Sequence, residues 1–322
     1  MEGLKDFKDM LARLECRNKR WRLALVCAED ESSRIAAQWA LERKFVDITF
    51  VGGSKIVMSD ERLKKYATHW KVVRVESRDE AARIAVEMAR NGEVDILMKG
   101  MINTDNLLRA ILDKQCGLLL PGAVMTHIAL AHMPSYHKML FFSDSAVIPY
   151  PTLQQRIEQI RYIIDLCHGI GMPRPKIALI HCTEKVNGKT FPLTLDYVEL
   201  KEMAEKGEFG NCIIDGPMDV KTACSAEAMR IKNMTSPING DADALIMPDI
   251  EAGNSFYKTI TLFAQADTAG ILMGTKVPVV LPSRGDDAMS KFFSLALASW
   301  SCARSEERRV GKECRSRWSP YH

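Results

Sequence analysis

Short apolar runs alternate with segments of helical periodicity along most of this chain of 322 residues, and this alternation limits the possible folds more than any other feature. Each apolar run is brief and ends at Gly, Pro or polar residues, as buried strands do. The segments between the runs place their apolar residues on one helix face. Strands that alternate with helices favour a parallel sheet with helices on both faces, so the sequence predicts an α/β fold.

The alternation is interrupted once, near the middle of the chain. Two strand-like runs, 126–133 and 138–143, are joined through Pro134 and Ser135, which predicts a β-hairpin. We place the domain junction here. Residues 1–135 with 285–302 are predicted to form the first α/β domain, and residues 136–284 are predicted to form the second.

Composition is that of an ordinary globular protein, with 47% hydrophobic and 26% charged residues. No uncharged apolar run approaches the roughly 18 residues that suggest a membrane span. The N-terminus mixes charged and apolar residues, unlike a signal peptide. The nine cysteines include no Cys-x-x-Cys pair, which favours reduced thiols over a disulfide framework. These features predict a cytoplasmic protein.

The net charge of +3 arises in the last segment of the chain. Residues 303–322 carry six Lys/Arg and three Asp/Glu, which accounts for the whole excess. This segment shows no helical or strand period, so we interpret it as a non-native or disordered tail. A basic arm that binds nucleic acid is the alternative. The rest of the chain is balanced, with 38 basic and 38 acidic residues.

Polar residues follow several of the predicted strands. The groups are 283–287, 99–100 with 103–104, 215–217 and 253–254. Each group taken alone is typical of a turn, because Gly, Pro, Asn and Asp all favour turns. Open α/β sheets bind their ligands at the carboxyl ends of the strands. Several such groups together therefore favour a shared ligand-binding cleft.

From about Leu23 to Ser299 the chain resembles the phosphate acetyltransferase/phosphate butyryltransferase family, and most closely its butyryltransferase branch. The segments that carry the resemblance, in family order, are 98–104, 214–217, 241–254, 257–258 and 280–284. The resemblance implies two α/β domains with an active-site cleft between them, an architecture like that of isocitrate and isopropylmalate dehydrogenases. It also implies that acyl-CoA and phosphate are converted to acyl phosphate and CoA, with a short acyl group such as butyryl.

The resemblance assigns catalytic roles to the group that follows the last predicted strand. Ser283 and Arg284 match the Ser-Arg pair of the family, with Ser283 as oxyanion donor and Arg284 on phosphate or phosphorylated CoA. The butyryltransferase branch reads Ser-Arg-x-Asp, which indicates Asp286 as the base that takes the thiol proton. Asp287 is the adjacent alternative. The acetyltransferase branch places its catalytic Asp seven residues after the Ser, where this chain has Ser290.

Further positions match family loops that face the cleft. We predict that substrate is bound by Lys99, Gly100, Asn103, Thr104, Asp215, Gly253, Asn254 and Lys258. One departure concerns an arginine that the acetyltransferase branch has four residues after the Tyr-Lys lysine, where this chain has Leu262. This difference argues against a plain acetyltransferase.

Two other functions stay open at this point. A metal- and NAD-dependent decarboxylating dehydrogenase shares the implied architecture, with Asp241, Asp243 and Asp249 as the nearest candidate metal ligands. We expect these carboxylates to cap or solvate turns instead. The other function is a non-catalytic acyl-CoA-binding protein. We predict no metal site, no permanently bound cofactor, CoA and inorganic phosphate as substrates, no nucleic-acid or membrane partner, and a homo-oligomer.

Overall fold

The computed structural model describes residues 4–283 and 285–317, and of 304–317 it describes the backbone alone. The chain divides into two compact units. Unit 1 comprises Met1–Met10 and Pro121–Gly274, and unit 2 comprises Leu11–Leu120 and Thr275–His322. The predicted boundary at 135–136 divides the hairpin between two domains, whereas both strands of the hairpin lie inside unit 1.

Strands and helices alternate as the sequence predicted. The strands are β1 (Trp21–Val26), β2 (Val46–Val51), β3 (Trp70–Val73), β4 (Ile96–Lys99), β5 (Thr126–His132), β6 (Leu140–Ser143), β7 (Lys176–Ile180), β8 (Ile213–Met218), β9 (Ala244–Ile246), β10 (Asp267–Met273) and β11 (Val279–Val280). The helices are α1 (Phe7–Cys16), α2 (Glu31–Glu42), α3 (Ser54–Ser59), α4 (Glu61–Lys64), α5 (Arg78–Arg90), α6 (Thr104–Ile111), α7 (Leu153–Gly169), α8 (Leu193–Glu205), α9 (Val220–Cys224), α10 (Ala226–Ile231), α11 (Ile250–Phe263) and α12 (Ala288–Arg317).

Unit 2 is built on parallel strands in the order β3-β2-β1-β4-β11. Its central strands are nearly continuous runs of buried apolar residues, as expected where helices cover both faces of a parallel sheet. The last residue of β1, Val26, pairs with Val51 of β2 and with Lys99 of β4. The carboxyl ends of these strands are therefore level, and the polar segments that follow them leave the sheet at one edge.

Unit 1 contains strands in the order β10-β5-β6-β9-β7-β8. Strand β5 is antiparallel to both β10 and β6, which confirms the predicted hairpin, and the strands from β6 to β8 are parallel. Because β5 runs opposite to β6, its first residues lie beside the carboxyl end of β6. The core of this unit includes Phe142, Leu245 and Met247, all almost fully buried.

The final helix corrects one expectation. Helix α12 continues past Ala303 to Arg317, through the segment in which we expected no regular structure. Glu, Arg and Lys are frequent in this segment and are good helix formers, so they extend a helix that is already nucleated without adding an apolar period. In the part of the chain that is described, no helix is both long and apolar enough to cross a membrane.

Candidate active site

The loop after β11 folds into a closed turn that leads into α12. The backbone N–H of Asp286 donates to the Ser283 carbonyl oxygen at 3.2 Å, and Asp286 Oδ2 accepts from the Ser283 backbone N–H at 2.8 Å. Ser283 is exposed and Asp286 is half-buried. Arg284, the other predicted catalytic residue, lies outside the described residues. The turn thus joins the Ser283 backbone to the Asp286 carboxylate within one loop.

Asp287, the alternative base, has a different local role. Its Oδ1 accepts a hydrogen bond from the backbone N–H of Ser290 at 2.8 Å, and its carbonyl oxygen accepts from Lys291 N–H at 3.3 Å. This is the geometry of a helix N-cap, in which the side chain satisfies a backbone donor of the first turn. Asp287 thus caps α12 through Oδ1, just as Asp286 closes the turn through Oδ2, and both stay candidates for the base.

The end of β4 carries the second group of unit 2. Lys99 is only 3% exposed, and its Nζ donates to the Gly100 carbonyl oxygen at 3.2 Å. A Cβ atom on Gly100 would lie 2.4 Å from the Cys27 carbonyl oxygen, so only glycine permits this approach of the β4 end to the β1 end. Asn103 occupies the N-cap position of α6, and Thr104 begins the helix; both are exposed. These residues can therefore reach a ligand more readily than Lys99.

The Cys27 thiol lies next to this close approach of the β1 and β4 ends and is buried. Cys27 follows β1 and is almost fully buried. Burial, and after it the negative charge of Glu29, raises the pKa of the Cys27 thiol to about 12. Cys27 therefore stays protonated near neutral pH and supplies neither a nucleophile nor a base.

Unit 1 places Asp215 differently from our prediction. We expected the strand to end at Asp215, but Asp215 lies inside β8, which continues to Met218, and it is 8% exposed. Its Oδ1 accepts hydrogen bonds from Lys201 Nζ at 2.6 Å and from Gly216 N–H at 2.9 Å. The apolar run ends before Asp215, but the backbone stays extended and the strand continues through Pro217. Asp215 is therefore held by an ion pair with α8.

Gly253 and Asn254 lie in the first turns of α11, although their residue types taken alone are typical of a turn. A Cβ atom on Gly253 would lie 2.0 Å from the Asp144 carbonyl oxygen, so this glycine allows α11 to touch the segment after β6. Asn254 Nδ2 donates to the Ser145 carbonyl oxygen at 3.0 Å. Farther along the helix, the exposed Lys258 places its Nζ 4.8 Å from the centroid of the Tyr257 ring.

The sequence analysis did not identify Asp144, whose carbonyl oxygen lies next to Gly253. This residue is 1% exposed, and its carboxylate closes the end of β6. It accepts hydrogen bonds from Thr126 Oγ1 at 2.7 Å, from His127 N–H at 3.0 Å, and from the three successive N–H groups of 146–148 at 2.7 to 3.2 Å. The available signal was an Asp in a Ser-Asp-Ser sequence directly after an apolar strand, where a side chain can accept from the following backbone.

The candidate metal ligands are engaged in other interactions. Asp241 lies 2.8 Å from both Lys138 Nζ and Lys176 Nζ, and Asp243 lies 2.7 Å from Lys138 Nζ. Asp249 is the N-cap of α11 and accepts from Ala252 N–H at 2.8 Å. Within the described ranges, no group of three or more His, Cys, Asp or Glu side chains is arranged to hold a metal ion.

Known proteins match this chain over most of its length. The model of the family described as phosphate acetyl/butaryl transferase matches residues 61–299. A phosphate butyryltransferase from Clostridium acetobutylicum is 34% identical over 92% of this chain and 98% of that protein. A phosphate acetyltransferase from Thermotoga maritima is 34% identical over 88% of this chain and 96% of that protein. The crystal structure of a branched-chain phosphotransacylase from Enterococcus faecalis V583 matches with a TM-score of 0.76 and 30% identity, over 88% of this chain and 99% of that one.

Proposed function

This chain belongs to the phosphate acetyl/butaryl transferase family and is an enzyme of the phosphate acyltransferase class, and we propose that it exchanges a short-chain acyl group between coenzyme A and inorganic phosphate. In this reaction acyl-CoA and phosphate give acyl phosphate and CoA. Coenzyme A is a substrate, and the proposal includes no permanently bound cofactor.

The preferred acyl group is proposed to be butyryl or a similar short chain. Leu262 stands where the acetyltransferase branch has an arginine, and Ser290 stands where that branch has its catalytic Asp. Leu262 is 73% exposed on α11, and its apolar side chain offers no charge at that position. Both differences support a substrate other than acetyl. Relatives named for acetyl and for butyryl transfer are equally similar to this chain, so identity alone favours neither.

The turn after β11 carries the proposed mechanism. In the direction of acyl-CoA synthesis, Asp286 takes the proton of the CoA thiol, whose unperturbed pKa is about 8.5. The thiolate attacks the carbonyl carbon of the acyl phosphate, and the Ser283 hydroxyl donates to the oxyanion of the tetrahedral intermediate. The intermediate collapses with loss of phosphate, which Arg284 binds through its guanidinium. The observation behind this assignment is the 2.8 Å hydrogen bond that joins Ser283 N–H to Asp286.

The remaining predicted residues are proposed to bind the substrates. In unit 2 these are Lys99, Gly100, Asn103 and Thr104, and in unit 1 they are Asp215, Gly253, Asn254 and Lys258. Exposed Asn103, Thr104 and Lys258 are suited to direct contact with phosphate groups. The family's cleft between two α/β domains, a homo-oligomeric state and a cytoplasmic location stay predictions.

A thiol-release assay tests the proposal. Purified protein is incubated with phosphate and with acetyl-, butyryl- or isobutyryl-CoA, and the free thiol of CoA is followed by its reaction with a chromogenic disulfide. We expect release that requires phosphate, with a higher kcat/KM for butyryl- or isobutyryl-CoA than for acetyl-CoA. Binding of CoA without turnover on any of these substrates would support a non-catalytic protein. A change in absorbance at 340 nm with NAD, a hydroxy acid and Mg²⁺ would support the dehydrogenase.

A further inference from the structure

Lys291 lies in the first turns of α12, and its ammonium group is buried. The side chain is 5% exposed, and Nζ donates to Asp30 Oδ2 at 2.6 Å, to Ser32 Oγ at 2.8 Å and to Ser33 Oγ at 3.1 Å. An ammonium group has three N–H donors, so each of them has an acceptor here. A buried lysine with such a complete set of acceptors is a built feature of the fold and not a chance surface contact.

The three acceptors belong to the N-terminus of α2, directly after β1. Asp30 is the N-cap of this helix, and its Oδ2 also accepts from Ser33 N–H at 3.0 Å. Burial by itself raises the pKa of Asp30, but the hydrogen bonds from Lys291 and Ser33 outweigh burial and lower the pKa. A cation at a helix N-terminus is opposed by the helix dipole. The cap of α2 therefore does not require Lys291. The pair joins the start of α12 to α2, beside the packing of Phe292 on Trp39, and its role follows from that connection.

The position of Lys291 along the chain indicates that role. The catalytic turn at 283–287 lies between β11, of which only Val279 and Val280 pair with β4, and the first turn of α12. The hydrogen bonds of Ser283, Asp286 and Asp287 close the turn on itself and on α12. They do not fix it to the strand ends. Lys291 ties the start of α12 to the N-terminus of α2, where its acceptors lie 258 to 261 residues away in the chain.

We propose that Lys291 is a positioning residue, whose buried bonds to Asp30, Ser32 and Ser33 fix the turn at 283–287 against the N-terminus of α2. Through this tie Lys291 sets where the Ser283 hydroxyl and the Asp286 carboxylate stand during acyl transfer. This inference rests on the proposed function. Displacement of a catalytic group by about 1 Å can lower a rate on the order of 100-fold, so the tie is expected to affect turnover and not only stability.

The test compares Lys291→Met with Lys138→Met. Lys138 is also a poorly exposed lysine, at 19%, and it pairs with Asp241 and Asp243 just before β6. Both variants remove an ammonium group from carboxylate partners and both should lower the melting temperature. We expect kcat to fall about 10- to 100-fold in Lys291→Met, with KM for CoA and phosphate within about twofold of wild type. Lys138→Met should keep the wild-type kcat. Equal kcat values in the two variants and in wild type would overturn the proposal.

A readout that does not depend on activity separates this proposal from the proposed function. Hydrogen–deuterium exchange is measured by mass spectrometry on peptides that cover 285–290. We expect faster exchange of these amides in Lys291→Met and unchanged exchange in Lys138→Met. If the wild-type protein fails to transfer acyl groups, the proposed function is wrong, but the exchange data still test the tie. Unchanged exchange in Lys291→Met means that Lys291 does not hold the turn.

A milder variant covers the case in which Lys291→Met does not fold. Asp30→Asn keeps a good N-cap for α2, because Asn caps helices about as well as Asp, but it removes the ion pair. We expect the same effects as in Lys291→Met, namely a lower kcat, nearly constant KM values and faster amide exchange at 285–290. In the double variant Asp30→Asn/Lys291→Met the loss of kcat should be no larger than in Lys291→Met alone, because both changes remove one interaction. Additive losses would contradict the proposal.

Discussion

Asp144 in unit 1 and Asp286 in unit 2 each close a turn just beyond the carboxyl end of a strand, yet their surroundings differ. Asp144 is 1% exposed and both of its oxygens accept hydrogen bonds, five in total. Asp286 is half-buried, and one oxygen accepts from Ser283 N–H. A carboxylate that accepts five hydrogen bonds is a fixed part of the fold, whereas the one described bond of Asp286 fixes it only to its own turn. By the number of donors, Asp144 is a structural residue, and Asp286 stays the predicted base.

The largest effect is expected for Asp286→Asn, and it falls on turnover. An amide oxygen can still accept from Ser283 N–H, so the turn should persist, but an amide does not take the thiol proton. General-base catalysis contributes about 10²- to 10⁴-fold, and kcat should fall by that factor while CoA affinity stays nearly constant. The acidic limb of the pH–rate profile should vanish as well. A wild-type kcat in this variant would place the base elsewhere.

Arg284→Lys should lower kcat/KM by about 10²-fold, although the charge is kept. An ammonium group cannot reproduce the two parallel hydrogen bonds that a guanidinium makes to phosphate, and loss of one such donor to a developing charge costs about that factor. The effect should be greatest at low phosphate concentration. The prediction depends on the Ser-Arg pair of the sequence, and near-wild-type kinetics at low phosphate would refute it.

Asp144→Asn should act on stability. The amide group would turn its NH₂ toward backbone N–H donors that now face a carboxylate, and hydrogen bonds to charged groups contribute about 1.5–3 kcal/mol each. We expect the free energy of unfolding to fall by about 3 kcal/mol, as measured by urea denaturation. Asp267→Asn, at an exposed position that begins β10, is the matched control and should change this free energy by less than about 0.5 kcal/mol. If both variants lowered the free energy of unfolding by similar small amounts, Asp144 would not be the structural carboxylate that the contrast with Asp286 describes.

The same contrast explains how much the sequence could predict. The turn at 283–287 is local, since its hydrogen bonds join residues two to four positions apart, and a polar cluster after the last strand could be predicted from the sequence. The partners of Asp144 lie up to 18 residues away, and Asn254 reaches Ser145 across 109 positions. Periodicity does not report such pairings. It also ended the strand at Asp215, before its true end at Met218. Composition alone does not distinguish a glycine in a turn from one that lets two segments touch, as Gly253 does in α11.

Gly253→Ala compared with Gly285→Ala tests the packing difference directly. A Cβ on Gly253 would meet the Asp144 carbonyl oxygen at 2.0 Å, whereas a Cβ on Gly285 would meet no described atom within 4 Å. Overpacking of this kind typically costs about 1–3 kcal/mol, so Gly253→Ala should lower the free energy of unfolding by that amount. Gly285→Ala should leave stability unchanged. Circular dichroism on heating gives both values, and a stable Gly253→Ala protein would mean that α11 does not depend on this close approach.

The smallest effect is expected at Asp287, where the cap and the chemistry can be separated. Asp287→Ala removes the acceptor for Ser290 N–H and should cost about 1 kcal/mol of stability, the usual value for loss of an N-cap. Asp287→Asn keeps an oxygen in that position, and Asn is as good a cap as Asp, so this variant should be as stable as wild type. If Asp286 is the base, both variants should retain kcat within severalfold of wild type. If Asp287 were the base, Asp287→Asn would lose turnover while it kept its stability. The pair of variants therefore distinguishes a capping carboxylate from a catalytic one at adjacent positions of the same turn.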